Sequence, residues 1–148
     1  MSDKIHLEYP NPIRVRGVVL YENGIILIKR NRIENGKEIE YYVFPGGGLE
    51  NDEDLHSALT RELHEELGIE VTINEIIHED VFNGNTNLYF LCEYKSGEIG
   101  TGNSPEFYSE KYKNRRSYIP IVVSFGDLSS INLYPISTID KLKSYFKI

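Results

Sequence analysis

Three Asn-Gly pairs constrain the fold of this chain more than any other feature of its sequence. They are Asn23-Gly24, Asn35-Gly36 and Asn83-Gly84, and each lies between runs of residues that are typical of β-strands. Asn-Gly in that setting is the strongest short-range signal for a β-hairpin, because a tight turn needs positive φ angles that Asn and Gly tolerate. We therefore predict three hairpins, with the second one, at residues 35–36, the longer excursion.

Two further segments are predicted to be helices. In the first, four leucines recur on one stripe at about 100° per position: Leu55, Leu59, Leu63 and Leu67. Asn51 or Asp52 can cap the start of this helix, and Gly68 suits the left-handed position just past its end. The segment STIDKLKSYFKI predicts a C-terminal amphipathic helix that begins at a Ser or Thr cap, after a last strand in YIPIVVSF. Strands interleaved with two separate helices indicate an α/β domain with a mixed sheet.

The composition is that of an ordinary globular protein. A chain of 148 residues, with 40% hydrophobic and 26% charged residues, fits a single domain, which we place at residues 1–148. No apolar run is long enough to predict a membrane span, and the N-terminal residues lack the order of a secretory signal. The single cysteine, Cys92, cannot form an internal disulfide and is expected in a buried strand. We therefore expect a cytoplasmic protein.

The charge is concentrated in one segment. Residues 49–70 contain eight acids and one base, Arg61, so this segment alone carries the whole net charge of −7. A duplex nucleic-acid binder needs a basic surface, and the pair Arg115-Arg116 makes only a small basic spot. The composition therefore favours divalent cations as partners and argues against duplex nucleic acid.

Three of these acids lie on or near the apolar stripe of the first helix. On the same helical wheel Glu66 falls inside the stripe, Glu62 falls on its margin and Glu65 lies somewhat further round. A carboxylate that faces the protein body is costly unless it is paired, protonated or bound to a metal. Glutamates at this spacing more often form an ordinary solvated face. The preceding PGGG either brings the backbone close to a ligand or makes a simple tight turn.

At this point the residues resemble a known signature. Gly47, Glu53 and the run Arg61-Glu62-Leu63-x-Glu65-Glu66-x-Gly68-Ile69 are similar to the box of the Nudix hydrolases at every defined position. The box covers residues 47–69. The hairpins, the paired strands after the box and the terminal helix resemble, more loosely, the α/β/α sandwich of that family over the whole chain.

The resemblance implies a metal-dependent pyrophosphohydrolase that cleaves a nucleoside diphosphate linked to another moiety X. It implies that Glu62, Glu65 and Glu66 bind Mg²⁺ or Mn²⁺, with the carbonyl of Gly46 as a further ligand. Hard oxygen ligands of this kind select those two ions. The remaining catalytic residues that the resemblance implies are Arg61, which holds the carboxylates in place, and Glu53, which supports them.

A further ligand or general base is expected from outside the box. Our candidate is Glu106, with Glu93 and Glu110 behind it, and an exposed loop acid with no function is an equal alternative. The histidines His56, His64 and His78 have no spacing that suits a metal site and are predicted to be surface or helix residues.

Basic and aromatic residues near the strand ends are candidates for substrate binding. Lys29, Arg30 and Arg16 can hold phosphates, although basic residues at strand ends are more often solvated. Tyr42 and Phe44 can stack on a nucleobase.

The box does not identify the substrate. The chain lacks the Pro that is typical of ADP-ribose enzymes of the family, Tyr89 is a few residues too late for a dinucleotide enzyme, and Asn132 only approximately matches a residue that reads oxidised guanine. We expect a canonical or modified nucleoside triphosphate, cleaved to the monophosphate and pyrophosphate. ADP-ribose or a nucleoside diphosphate sugar is the alternative, and a non-catalytic nucleotide-sensing module is another. A homodimer is left open.

Overall fold

The computed structural model describes residues 11–102 and 118–147. Within these ranges the chain forms eight strands, which are β1 Ile13–Tyr21, β2 Gly24–Glu34, β3 Lys37–Val43, β4 Gly46–Gly48, β5 Ile69–Phe82, β6 Asn85–Gly97, β7 Tyr118–Ser124 and β8 Leu133–Tyr134. The same ranges contain helix α1, Leu55–Leu67, a 3₁₀ helix, Phe125–Ser130, and helix α2, Ser137–Phe146. None of the described helices is long and apolar enough to cross a membrane.

The strands form one mixed sheet. Its order is β5-β6-β1-β2-β3-β8, with β4 paired to β1 and β7 paired to β2. The pairs β1–β6 and β3–β8 are parallel and the other pairs are antiparallel. The predicted α/β class with a mixed sheet is therefore confirmed.

Two of the predicted hairpins turn at the expected residues. Asn35 and Gly36 have φ angles of 53° and 76°, and Asn83 and Gly84 have φ angles of 51° and 77°. Positive φ at both central residues is the combination that a two-residue hairpin turn requires. These turns join β2 to β3 and β5 to β6.

The first hairpin forms one residue earlier than predicted. Tyr21 pairs with Gly24, so the turn consists of Glu22 and Asn23, and Glu22 takes the positive φ of 53°. Gly24 instead packs against β7, where a Cβ atom would lie 2.1 Å from the carbonyl oxygen of Val123. This glycine permits the close approach of two strands.

Helix α1 has the predicted extent but a different N-cap. The side chain of Asp54 accepts a hydrogen bond of 2.7 Å from the amide of Ser57, so the predicted cap at Asn51 or Asp52 is wrong. Asp52 instead takes a left-handed conformation in the preceding turn, with a φ of 61°. Gly68 ends the helix with a φ of 78°, as predicted.

The C-terminal region differs in two details from the prediction. β7 is a strand, as expected, but it is not the last one, because the two-residue strand β8 pairs in parallel with β3. Helix α2 has Ile136 at its N-cap and no capping side chain, so the predicted Ser or Thr cap is wrong. The hydroxyl of Thr138 donates instead to the carbonyl of Pro135 at 2.7 Å.

The buried side chains form two hydrophobic clusters, one on each face of the sheet. Leu59, Leu63 and Leu67 of α1 pack with β1, β2 and β6 in one buried cluster, which also contains Cys92. Leu142 of α2 and Leu128 of the 3₁₀ helix belong to the second cluster. The sheet therefore lies between α1 and the C-terminal elements, and Cys92 is a buried strand residue as expected.

Candidate active site

The site forms where the glycine strand β4 meets α1. β4 pairs with Arg14, Val15 and Arg16 of β1. A Cβ atom at Gly46 would lie 2.0 Å from the carbonyl oxygen of Val15, and one at Gly47 would lie 2.5 Å from a carboxylate oxygen of Glu62. At Gly46 the close neighbours are backbone atoms and the φ angle is +145°, so glycine is required there, whereas at Gly47 the neighbour is the end of the flexible Glu62 side chain.

Glu66 is the buried acid of the site. Its side chain is on the apolar side of α1, as the helical wheel predicts, and the residue is only 4% exposed. It accepts a hydrogen bond of 2.9 Å from the amide of Gly46 and another from the hydroxyl of Tyr118. Burial raises the pKa of Glu66 to about 8, although these two hydrogen bonds act in the opposite direction.

Arg61 ties the other acids together. Its Nε and Nη2 atoms donate to both carboxylate oxygens of Glu53, at 2.8 and 3.0 Å. Its Nη1 atom donates to Glu62 at 3.1 Å and to Glu65 at 3.3 Å, and its Nη2 atom also reaches the carbonyl of Gly48 at 3.1 Å. The hydrogen bonds with Glu53 raise the pKa of Arg61 and lower the pKa of Glu53. Glu50 also lies 3.5 Å from the Nη1 atom, so the guanidinium is a charged partner for four carboxylates.

The donor set fits a divalent cation in its chemistry. Glu62, Glu65 and Glu66 share one side of α1, and the carbonyl of Gly46 belongs to the residue whose amide contacts Glu66. All are oxygen donors, which Mg²⁺ and Mn²⁺ prefer. In residues 11–102 and 118–147 no three acidic, histidine or cysteine side chains are grouped closely enough to hold a metal. The carboxylates of Glu62 and Glu65 instead accept hydrogen bonds from Arg61.

Arg16 connects the glycine strand to a polar chain across the sheet. Its Nη1 atom donates to the carbonyls of Phe44 and Gly46, both at 3.3 Å, and its Nε atom donates to the Oδ1 atom of Asn87 at 3.3 Å. The amide nitrogen of Asn87 donates in turn to Asp80 at 3.2 Å. Burial lowers the pKa of Arg16. Arg16 and Asn87 line a recess of about 60 Å³.

The other predicted substrate residues have separate contacts. Lys29 forms an ion pair of 3.2 Å with Glu40, and the hydroxyl of Tyr42 donates to the same residue at 3.0 Å. Arg30 lies over the ring of Tyr118. Phe44 is 2% exposed and packs edge-on against Tyr89 in the core, on the wall of the recess.

Of the three acids proposed outside the box, Glu93 is the one in the described part of the chain, and it lies away from the site. Glu106 and Glu110 lie outside the described residues. Glu93 pairs with Leu20 at the end of β1 farthest from β4. It lines an open cleft there, with Tyr21 and Tyr94 among its neighbours.

The predicted placement of the histidines holds for two of the three. His56 and His64 are exposed residues of α1. His78 is different, because it is a partly buried residue of β5 whose Nε2 atom lies 3.6 Å from Asp80.

Two groups at the site were not predicted. They are Tyr118, which donates to Glu66, and the pair formed by Asn87 and Asp80, which contacts Arg16. Tyr118 begins a strand whose register against β2 brings it to the site, and no local pattern in the sequence reports that register. Asn87 lies directly before the apolar run of β6, among the polar residues that begin this strand, so no signal in the sequence indicated its role.

The chain is similar to a known protein family and to curated proteins. A family model described as the NUDIX domain matches residues 11–113. A MutT-like protein of Streptomyces ambofaciens is 36% identical over 87 residues, 57% of this chain and 53% of that protein. The CTP pyrophosphohydrolase of Escherichia coli K12 is 38% identical over 65 residues, 44% of this chain and 47% of that protein. The chain thus spans about half the length of these curated relatives.

Solved structures share the fold. The solution structure of the E. coli ORF135 protein has a TM-score of 0.62 and 22% identity, and the match covers 92% of this chain and 89% of that one. An ADP-ribose pyrophosphatase from Streptococcus suis has a TM-score of 0.64 and 17% identity, with 93% of each chain covered. At these identities the likeness describes the architecture of the sheet and helices.

Proposed function

The chain belongs to the Nudix hydrolase family, and from this premise we propose that it is a metal-dependent pyrophosphohydrolase acting on a nucleoside triphosphate. Glu62, Glu65, Glu66 and the carbonyl of Gly46 would hold Mg²⁺ or Mn²⁺. A bound ion of this kind polarises phosphoryl oxygens and lowers the pKa of a bound water. The products would be the nucleoside monophosphate and pyrophosphate.

The environment of Glu66 is the observation that carries this proposal. A carboxylate that is 4% exposed costs free energy unless a positive partner offsets its desolvation. Arg61 is committed to Glu53, Glu62 and Glu65, and Arg16 donates to backbone carbonyls and Asn87. Neither guanidinium donates a hydrogen bond to Glu66 in these contacts, and the nearby charge of Arg16 does not outweigh the effect of burial on the pKa of Glu66. A divalent cation would add positive charge at this carboxylate.

Arg61 and Glu53 have a supporting role in the proposed reaction. The two-point hydrogen bond between them fixes the guanidinium, and the guanidinium fixes Glu62 and Glu65. Arg16 would hold the carbonyl of Gly46 in place on one side and leave its second lone pair for the metal. Water would add its oxygen to phosphorus and release one proton to the solvent, the bridging P–O bond would break, and pyrophosphate or the monophosphate would leave with the electron pair of that bond.

The name of one relative supports a nucleoside triphosphate. The CTP pyrophosphohydrolase, named for a triphosphate substrate, aligns with 44% of this chain. Lys29, Arg30 and Tyr42 remain candidates for further substrate contacts.

A panel of substrates tests the proposal. We expect kcat/KM for CTP, the other canonical triphosphates and oxidised triphosphates to exceed that for ADP-ribose at one Mg²⁺ concentration, with no turnover in excess chelator. A preference of about tenfold or more for ADP-ribose, equal to about 1.4 kcal/mol in transition-state binding, would overturn the substrate assignment. Turnover of none of these compounds with either metal would overturn the proposed activity.

Hydrolysis in ¹⁸O-labelled water tests the site of attack. Attack at phosphorus places the solvent oxygen on a phosphate product, whereas attack at carbon places it on the sugar. Mass spectrometry of the products separates the two outcomes. Label in the nucleoside beyond its phosphate would contradict the mechanism.

A further inference from the structure

Tyr118 is the first residue of β7 and lies opposite Arg30 of β2 in the antiparallel register. The guanidinium carbon of Arg30 is 4.8 Å from the centroid of the Tyr118 ring. A cation over an aromatic face is attracted to it, and the contact restricts the plane of the ring. The ring also packs against the cluster beneath α1. The direction of the Tyr118 hydroxyl is therefore fixed by the strand register, the core and Arg30.

The Tyr118 hydroxyl donates a hydrogen bond to Glu66. The amide of Gly46 donates to the Oε2 atom of the same carboxylate at 2.9 Å. A buried carboxylate only accepts hydrogen bonds, so its orientation depends on the donors around it. Gly46 constrains Glu66 from the side of β4 and Tyr118 constrains it from the side of β7. Both donors lie outside the helix that carries Glu66.

We propose that Tyr118 is a positioning residue for the reaction, which acts by holding the carboxylate of Glu66 in the orientation that its proposed metal ligation requires. This inference rests on the proposed function. Tyr118 belongs to a strand that follows the box by almost fifty residues in the sequence, and it contacts Glu66 only because β7 pairs with β2. The role assigned to it is to orient Glu66, and this role requires no contact between Tyr118 and the reacting atoms.

The variant Tyr118→Phe tests the role, because it removes the hydroxyl and keeps the ring that packs against Arg30 and the core. We expect Mn²⁺ binding, measured by calorimetry on the metal-free protein, to weaken by roughly 10- to 100-fold, the usual effect of losing a residue that orients a metal ligand. We expect kcat/KM to fall by a similar factor through kcat. The melting temperature of the metal-free protein should change little.

Tyr145→Phe is the matched control. The Tyr145 hydroxyl also bonds to a glutamate, Glu75, in a pair that joins α2 to β5. Removing this hydroxyl should leave both Mn²⁺ affinity and kcat/KM unchanged. An equal loss in both variants would show that the effect of Tyr118→Phe is a general effect of removing a tyrosine hydroxyl, and would overturn the positioning role.

A second background separates the positioning role from a merely structural one. Glu66→Met fills the space of the glutamate but offers no carboxylate. In that background Tyr118→Phe should leave the residual kcat/KM unchanged, and a further tenfold loss would contradict action through Glu66. Failure of the parent protein to bind Mn²⁺ and to hydrolyse any triphosphate would overturn the proposed function. A parent that does both, with Tyr118→Phe equal to it, would overturn the role of Tyr118 alone.

Discussion

At the scale of single residues, three neighbouring acids of the site differ in their burial and in their hydrogen-bond partners. Glu62 and Glu65 share Arg61 and are partly exposed. Glu66 is buried and contacts two neutral donors, the amide of Gly46 and the hydroxyl of Tyr118. Neutral donors offset desolvation less than a full charge does. Without metal, the ionised form of Glu66 is therefore the unfavourable one.

This difference predicts that the metal-free protein loses stability as the pH rises. The pKa of Glu66 is about 8 in the folded protein against an ordinary value of 4.5. A raised pKa means that the folded state binds the proton more tightly, so its stabilising contribution is complete below 4.5 and is lost as the pH rises through about 8. The free energy of unfolding should fall by up to about 1.4 kcal/mol per pH unit between these values.

Urea unfolding in the presence of a chelator, at a series of pH values across this range, measures the effect. The variant Glu66→Gln carries no titrating group at this position and should flatten the profile there. Glu53 and Asp54, whose pKa values are lowered, affect stability only at lower pH. A profile that is the same in the parent protein and in Glu66→Gln would contradict the prediction.

At the scale of elements, the residues at its two ends determine where α1 begins and ends. Asp54 caps its first turn through Ser57, and Gly68 ends it in a left-handed conformation. The 13 residues between these caps carry both the leucine stripe of the core and the acids of the site. A shift in the start of the helix would therefore disturb the core and the site together.

The cap itself gives a prediction. Asp54→Ala removes the side chain that accepts from the Ser57 amide and should lower the free energy of unfolding by about 1 kcal/mol. Asn51→Ala, at an exposed position that was predicted as the cap, should change it by less than about 0.5 kcal/mol. Urea unfolding of both variants gives the comparison. A larger effect at Asn51 than at Asp54 would place the cap where the sequence alone suggested.

The elements also show what local sequence predicts and what it does not. The turns at Asn35-Gly36 and Asn83-Gly84 were predicted because their φ angles are an intrinsic preference of two adjacent residues. The cap was misplaced because several acids precede α1 and only the folded backbone selects one of them. Strand β8 was missed because two residues form a strand only through pairing with β3.

At the site, too, the sequence predicts local features but not the contacts that depend on strand pairing. The acids of the box lie within 14 residues of one another in the sequence, and the helical period was enough to predict that Glu66 faces the core. Tyr118 was missed because it reaches Glu66 through the register of β7 against β2. Arg16 was proposed as a phosphate ligand, but its contacts with Phe44, Gly46 and Asn87 depend on the pairing of β1 with both β4 and β6.

At the scale of the whole molecule, the site joins parts of the fold that are far apart in the sequence. Gly46 comes from β4, Glu66 from α1 and Tyr118 from β7, and all three meet at one carboxylate. An unfolded chain does not bring these groups together. A cation that binds here should therefore bind the folded state in strong preference to the unfolded state, and so stabilise the entire domain.

We accordingly expect Mn²⁺ to raise the melting temperature of the parent protein. At a free concentration of about 100 times its dissociation constant, a ligand specific to the folded state adds about 2.7 kcal/mol of stability. For a chain of this size that corresponds to a rise of roughly 5–10 °C.

Glu66→Gln, which keeps the shape of the side chain but lacks the charge, should show a rise of less than about 2 °C at the same Mn²⁺ concentration. Calorimetric melts with and without chelator make the comparison. An equal rise in both proteins would show that the cation binds elsewhere on the acidic surface, and the assignment of Glu66 as a ligand would fail.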